Sequence, residues 1–395
     1  MASEFSHENA NMIKLIKGGK IFAPEDIGIQ DILIVNGSIL KISREISANL
    51  GPKLESEIYD AKDKIICPGL IDSHIHLIGG GGAGGWIART KEMPVERIVR
   101  HGVTTVIGCL GMDHVSRSVQ TLTIKAKALE TSGISAYVFT GSWIFPPATI
   151  TCSVEEDLLF VDPVIGMKLA IGEAGSTHPT RRDLKDLLGQ MRRGSLLSGK
   201  AGILHIHLGP RSQDGVRMFQ EILSEVKYPF HKVIFTHANQ SKEIFNLTVE
   251  YLKQGGAIDF TASQIPAEKP GCIRASEAFK TLMDENLPVE RVTFTSDSNA
   301  SRVLKDGKVV YIGIEHLFSE VISLVLEQKI SFSSALKPVT TNPAKLYQID
   351  LKKGSLDPGK DADLVILNDR LEIIDVMAKG RWVVKKGEPV IRDPV

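Results

Sequence analysis

Apolar and polar positions change their period twice along the chain. From Met12 onward they alternate in short runs, MIKLI, KIF and DILIVNGSILKIS, and the Asn36-Gly37 pair within the last is a strong two-residue hairpin signal. A matching stretch lies at the other end, where Gly354-Ser355-Leu356 leads through Asp357-Pro358-Gly359 to ADLVIL, IIDVMAKG and RWVVKKG. This alternation predicts one small β-sandwich-like domain built from both ends, residues 12–67 plus 343–395, with residues 68–342 inserted between its halves.

Between these ends the pattern switches to continuous apolar runs separated by amphipathic segments. The runs are KIICPGLID, TTVIGC, SAYVFTG, VIGMKLAI, GILHIHLG, KVIFTHA, AIDFTA and RVTFTSD. The segments, PVERIVRHG, TLTIKAKALETSG, RRDLKDLLGQMRRG, GVRMFQEILSEV, SKEIFNLTVEYLKQGG and EAFKTLMDENL, are helical in period and often close on glycine. Eight buried strands alternating with helices over about 230 residues predict an α/β fold, a (β/α)8 TIM barrel, rather than an open doubly wound sheet. The G-x-G-x-x-G spacing within the glycine run Gly79–Gly85 does not open a helical segment, which removes the main evidence for a dinucleotide-binding domain.

Composition narrows the function classes. A chain of 395 residues suits two domains, or a barrel with an appendage. Forty-seven Lys plus Arg balance forty-seven Asp plus Glu, so no net field draws it to nucleic acid or to an anionic membrane. No run approaches the roughly 18 apolar residues of a membrane span, and no basic-then-apolar leader is visible, so a cytoplasmic location is expected. Residues 1–11 are polar and are set aside as a tail or expression remnant. Cys67, Cys109, Cys152 and Cys272 lack C-x-x-C spacing and are expected to be buried thiols.

Candidate chemistry gathers where a barrel's reacting groups lie, at the C-terminal strand ends. The first strand ends in His74-Ile75-His76, whose i, i+2 spacing turns both imidazoles to one face. Lys168 sits on the fourth strand, His207 ends the fifth, His237 the sixth and Asp297 the eighth. Alone, each has an ordinary reading: a core histidine, a snorkelling lysine, a helix-capping aspartate. Together at one rim they would be a cluster of costly buried polar groups unless cations organise them. His205 shares the face of His207 one layer deeper, where packing is its expected role. The remaining histidines, His7, His101, His114, His178, His231 and His316, have no partner at ligand spacing.

Strand-end His-x-His, a strand-four lysine, two single histidines and a final aspartate, together with GSLDPGKDADLVI, resemble the pattern of the amidohydrolase superfamily. GLIDSHIHLIGGGG, GMKLAI, FTHAN and TSDSNAS are similar to its isoaspartyl dipeptidase (beta-aspartyl peptidase) members. The resemblance implies a cytoplasmic hydrolase of amide C–N bonds, a homo-oligomer acting on a small peptide-like substrate through a metal-bridged hydroxide. It implies two divalent metal ions, zinc being the expected one, and carbon dioxide bound as a carbamate on Lys168. His74, His76 and Asp297 would hold one ion, His207 and His237 the other, with Lys168 bridging and Asp297 moving the proton.

The substrate positions depart from that family. A glutamate expected after the glycine run that contains Gly81 is replaced by Ala83, and a tyrosine by Trp143. Two carboxylate-gripping arginines fall on Gly175 and Gln240, and a small polar contact on Met112; Ser301 is retained. A zwitterionic dipeptide would then bury unpaired charge, at a cost of several kcal/mol. The expected specificity is therefore a less charged amide or N-acyl compound, with Met112, Trp143 and Trp86 making the pocket more apolar. The alternatives are a true isoaspartyl dipeptidase whose clamp is relocated to Glu173, Arg181, Arg182 or Arg211, and a cyclic-amide hydrolase or deaminase. A non-catalytic scaffold fits poorly with six intact ligand positions.

Overall fold

A computed structural model describes residues 13–49, 56–82, 84–304 and 306–393; the expectations for residues 1–11 and for Ala83 lie outside them. The first strands, β1 (Ile13–Phe22), β2 (Asp26–Val35), β3 (Ser38–Ser43), β4 (Ser56–Asp60) and β5 (Ile65–Pro68), begin a β sheet. Asn36 and Gly37 both take positive φ, 50° and 78°, as the turn between β2 and β3 requires.

Eight parallel strands follow: β6 (Leu70–Ile75), β7 (Val103–Gly108), β8 (Ser135–Gly141), β9 (Val164–Ile171), β10 (Ile203–Leu208), β11 (Val233–Thr236), β12 (Ala257–Thr261) and β13 (Val292–Thr295). They pair in sequence order with helices between them, a TIM barrel. The seam between last and first strand is closed just beyond β13, where Asp297 N–H donates to His74 O (3.1 Å) and His76 N–H to Ser298 O (3.0 Å). The ring closure and the expected ligands thus use the same residues. After the seam, a short antiparallel hairpin, β14 (Ser301–Val303) and β15 (Val309–Tyr311), follows.

The chain then returns to the first sheet with β16 (Leu364–Leu367), β17 (Ile373–Ala378), β18 (Arg381–Lys385) and β19 (Glu388–Pro389), in the order β19-β18-β17-β16-β5-β1-β2-β3 with β4 beside β1. The two ends of the chain meet where β16 runs antiparallel to β5, with Val365 opposite Cys67.

The expected single run KIICPGLID is divided. Ile65–Pro68 belongs to the terminal sheet and Leu70–Ile75 to the barrel, because Gly69 passes so close to Thr104 that a Cβ would lie 2.1 Å from its Oγ1. Helices over Val154–Phe160, His316–Leu326, Phe332–Leu336 and Thr341–Leu346 were not expected. The first is under two turns. The second, HLFSEVISLVL, does bury one face through Leu317, Phe318, Val321 and Leu324, but it lies beyond the last of the eight runs. Of the cysteines, Cys67, Cys109 and Cys272 are buried but Cys152 is exposed, on the loop that precedes Val154–Phe160. No helix among the described residues is long and apolar enough to cross a membrane.

Candidate metal centre

The barrel delivers its polar side chains to one mouth. His74 lies on β6 and His76 one residue past it; their ring centroids are 5.6 Å apart. His237 and Asp297 follow β11 and β13 with φ of 64° and 54°, an uncommon backbone state for residues with a side chain and one that turns the chain at the mouth. Lys168 on β9 is fully buried, and His207 lies near the end of β10.

Two groups of donors result. His74 Nε2 and His76 Nε2 stand 3.4 and 3.3 Å from Asp297 Oδ1, and Lys168 Nζ is 2.7 Å from His74 Nε2. His237 Nε2 faces His207 Nδ1 at 2.8 Å. Glu173 contacts the far nitrogen of His207, Nε2, at 3.2 Å. Burial alone would raise the Glu173 carboxyl, but the His207 hydrogen bond and the fields of His207 and Lys269 together outweigh it and hold the group ionised. An ionised carboxylate only accepts, so His207 Nε2 donates and its Nδ1 lone pair is left aimed at His237 Nε2. Burial, reinforced by Lys168 at His74 and by His207 at His237, pushes the imidazoles of His74 and His237 well below their ordinary range, so they are neutral. Burial would raise Asp297 too, but its hydrogen bond with His76 and the fields of His237 and Lys168 hold it far below the usual carboxylate range.

Neutral imidazoles converging on an ionised carboxylate, and two ring nitrogens meeting with a lone pair between them, form a donor set that fits divalent cations of the zinc kind. Lys168 fits the expected carbamate. Its amine is buried with only His74 and the Cys109 thiol (3.6 Å) as partners, and no carboxylate lies within ion-pair reach among the described residues. Burial keeps that thiol neutral by raising it to about 11.

A layer beneath the mouth holds His205, expected there as packing, and groups that sequence reasoning missed. His74 Nδ1 meets both Thr236 Oγ1 (3.3 Å) and His205 Nε2 (3.1 Å), and His205 Nδ1 meets the Tyr347 hydroxyl (3.3 Å). Thr236, Thr293 and Thr295 donate to the buried Asp259, and the Ser296 hydroxyl to the buried Asp72. Burial raises both carboxyls to about 7, against the pull of these hydroxyls. The alternation of GILHIHLG places His205 at this depth, but its bonds to His74 and Tyr347 were not foreseen.

A cavity of about 250 Å³ opens over the mouth, lined among others by Gly81, Met112, Trp143, Gln240 and Ser301. Trp143 leans on His207, with centroids 4.5 Å apart. Met112 packs toward Gly175, whose Cβ would lie 3.5 Å from its Sδ. Gln240 spends its amide N–H groups on the carbonyls of Leu208 (2.6 Å) and Gly209 (3.4 Å), and the Ser301 hydroxyl donates to Ala88 O. Trp86 is not on this wall; it is exposed to 87%. Of the charged candidates, Glu173 lines the cavity, whereas Arg181 pairs on the outside with Glu221 and Glu225, Arg182 is exposed, and Arg211 is exposed. Lys269 and Arg302, not foreseen, also line it.

Comparison with known proteins gives consistent matches. The model of the amidohydrolase family matches residues 65–383. Adenine deaminase 1 of Latilactobacillus sakei subsp. sakei (strain 23K) is 23% identical over 384 residues, covering 96% of this chain but 57% of that protein. The chain thus spans somewhat more than half the length of the adenine deaminases it matches first. Dihydroorotase of Elusimicrobium minutum (strain Pei191) is 24% identical over 433 residues, covering 95% of this chain and 90% of that protein. The crystal structure of beta-aspartyl dipeptidase from Fervidobacterium islandicum AW-1, in complex with beta-Asp-Leu dipeptide, has a TM-score of 0.88 and 34% identity over 96% of this chain and 98% of that one. Dihydropyrimidinase from Brevibacillus agri NCHU1002, at 16% identity and a TM-score of 0.68 over 97% of each chain, shares the fold.

Proposed function

The chain belongs to the amidohydrolase family, metal-dependent hydrolases of C–N bonds, and from that premise we propose that it cleaves a small N-acyl-type amide lacking a free ammonium, using two divalent ions held by a carbamylated Lys168. The observation that carries this reading is the pairing of a complete donor set with an altered wall. His74, His76, Asp297, His207 and His237 converge at the barrel mouth, while Met112, Trp143 and Gln240 face the cavity above them.

His74, His76 and Asp297 would hold one ion, His207 and His237 the other, and Lys168, after reaction with carbon dioxide, would bridge them. Such ions supply an ionised water at neutral pH and polarise a carbonyl. The chain's own groups do the rest. Asp297, ionised and in contact with His74 and His76, accepts the proton of the attacking water on its carboxylate and returns it to the leaving nitrogen. Without that proton the amine is a poor leaving group. Glu173 keeps His207 in the tautomer that presents Nδ1. Trp143 offers an indole N–H that cannot ionise, and Met112 adds an apolar face to the cavity.

A β-aspartyl dipeptide brings an ammonium and two carboxylates. Gln240 is tied to backbone carbonyls and Glu173 is already engaged by His207, so the ammonium meets no uncommitted anion on the described wall. A second reading, a dipeptidase with a relocated clamp, draws on the presence of Glu173 in the cavity. Steady-state rates for N-acetyl-leucine and β-aspartyl-leucine on zinc-loaded protein separate them. Our reading expects kcat/KM for the dipeptide to fall below about 10⁴ M⁻¹s⁻¹ and below the N-acyl value; the reverse order would favour the relocated clamp.

A further inference from the structure

The cavity wall that follows β12 and continues onto β14 carries two cations whose donors the described residues leave partly unpaired. Lys269 lines the cavity half-buried, and its amine has neither a hydrogen-bond nor an ion-pair partner among the described residues. Arg302, on β14, donates through Nη2 to Ser263 O (2.6 Å) and Oγ (3.1 Å). Its Nη1 is buried without a hydrogen-bond partner, the Glu268 carboxylate lying 3.9 Å away. Gln264 is 5% exposed and lines the same cavity, and its amide oxygen is unpartnered as well. Burial lowers the Lys269 amine, and the Arg302 guanidinium beside it lowers it further, against the opposing fields of Asp297 and Glu173, neither of which pairs with it.

A buried charged donor left without a partner is costly. The Arg302 Nη1 is one, and with the unpaired Lys269 amine on the same cavity wall as Asp297 it makes a preformed demand for an anion. Size and geometry choose its class: a guanidinium with one free nitrogen and an ammonium nearby suit the two oxygens of a carboxylate.

We propose that Lys269 and Arg302 form a carboxylate subsite beside the candidate metal centre, so that the amide substrate carries one carboxylate. The subsite rests on the hydrolase reading for the word substrate, but not for the binding itself. The carboxylate can lie on the amine side of the scissile bond, as in an N-acyl amino acid, or on the acyl side, as in a dicarboxylic acid monoamide.

Two matched pairs test this on the zinc-loaded full chain. N-acetyl-leucine against N-acetyl-3-methylbutylamine places the charge on the amine side. N-(3-methylbutyl)succinamic acid against N-(3-methylbutyl)butanamide places it on the acyl side. Amine release gives kcat/KM, and calorimetry gives binding for each compound. In one pair the charged member should be favoured at least about tenfold. Lys269→Met and Arg302→Met should each remove about tenfold or more of that preference while changing the neutral member less than about threefold, and Arg302→Lys should restore part of it. Charged and neutral members that perform alike in both pairs, or variants that weaken both alike, would overturn the subsite. If no compound is hydrolysed but the charged ones bind and the variants lose that binding, the subsite stands and the hydrolase reading falls.

Discussion

His74 is held through both ring nitrogens, by Lys168 and Asp297 on one side and by Thr236 and His205 on the other. Groups that orient a metal-binding imidazole typically contribute 10–100-fold to metal affinity. His205→Phe should therefore weaken zinc binding by about that factor in a chelator competition, with the fold intact. Lys168→Ala should lose metal and hydrolysis together, and a short carboxylic acid such as propionate should recover part of both; a variant that keeps its full metal content would argue against a carbamate bridge. The rim residues were legible because strand alternation and strand-end position are written locally, in HIH and in the apolar runs that end at His207, His237 and Asp297. The layer below was not. Asp259 and Thr236 are brought together only by the pairing of β11 with β12, and Asp72 meets Ser296 only across the barrel seam. Lys269 and Arg302 escaped notice for a similar reason: both stand among charged residues in polar loops, where a solvated surface is the ordinary expectation.

At the scale of elements, the barrel was readable as eight apolar runs, but its boundaries depended on backbone contacts that composition does not record. Gly69 is the clearest case, since its lack of a side chain lets one run serve two sheets. Gly81 is a second. It sits at φ 70° in the turn that brings Arg89 against the mouth, and a Cβ there would stand 2.1 Å from Ala88 O and 2.2 Å from Ser301 Oγ. Gly81→Ala should lower stability in urea by at least about 1–2 kcal/mol from the left-handed backbone alone, and displace Ser301 enough to raise KM. The helices over Val154–Phe160, Phe332–Leu336 and Thr341–Leu346 went unread because each is too short to make a period visible; the first is pinned by its buried Asp157, which accepts from the backbone of Ile150 (3.0 Å) and Thr151 (2.8 Å).

For the whole molecule, the balanced charge leaves acid stability to particular carboxylates. Burial would raise Asp113, but the Ser116 hydroxyl and N–H and the Arg89 guanidinium overcome it and set it at about 2. A carboxyl depressed in the folded state contributes stability above its unfolded value near 4, and that contribution is lost as pH falls from there toward 2. Asp113→Asn should accordingly cost about 1–2 kcal/mol at pH 7 and flatten the acid limb between pH 4 and 2 in denaturant titrations. The candidate metal ligands His74, His76 and Asp297 lie where the first barrel strand meets the last, so on the proposed reading fold and activity meet at that seam. Metal content of the purified chain, measured by mass spectrometry beside its hydrolysis of N-acetyl-leucine, tests this most directly. About two divalent ions per chain, with hydrolysis abolished on their removal and regained on their return, is the predicted result. Full hydrolysis by protein holding well under one ion per chain would contradict it.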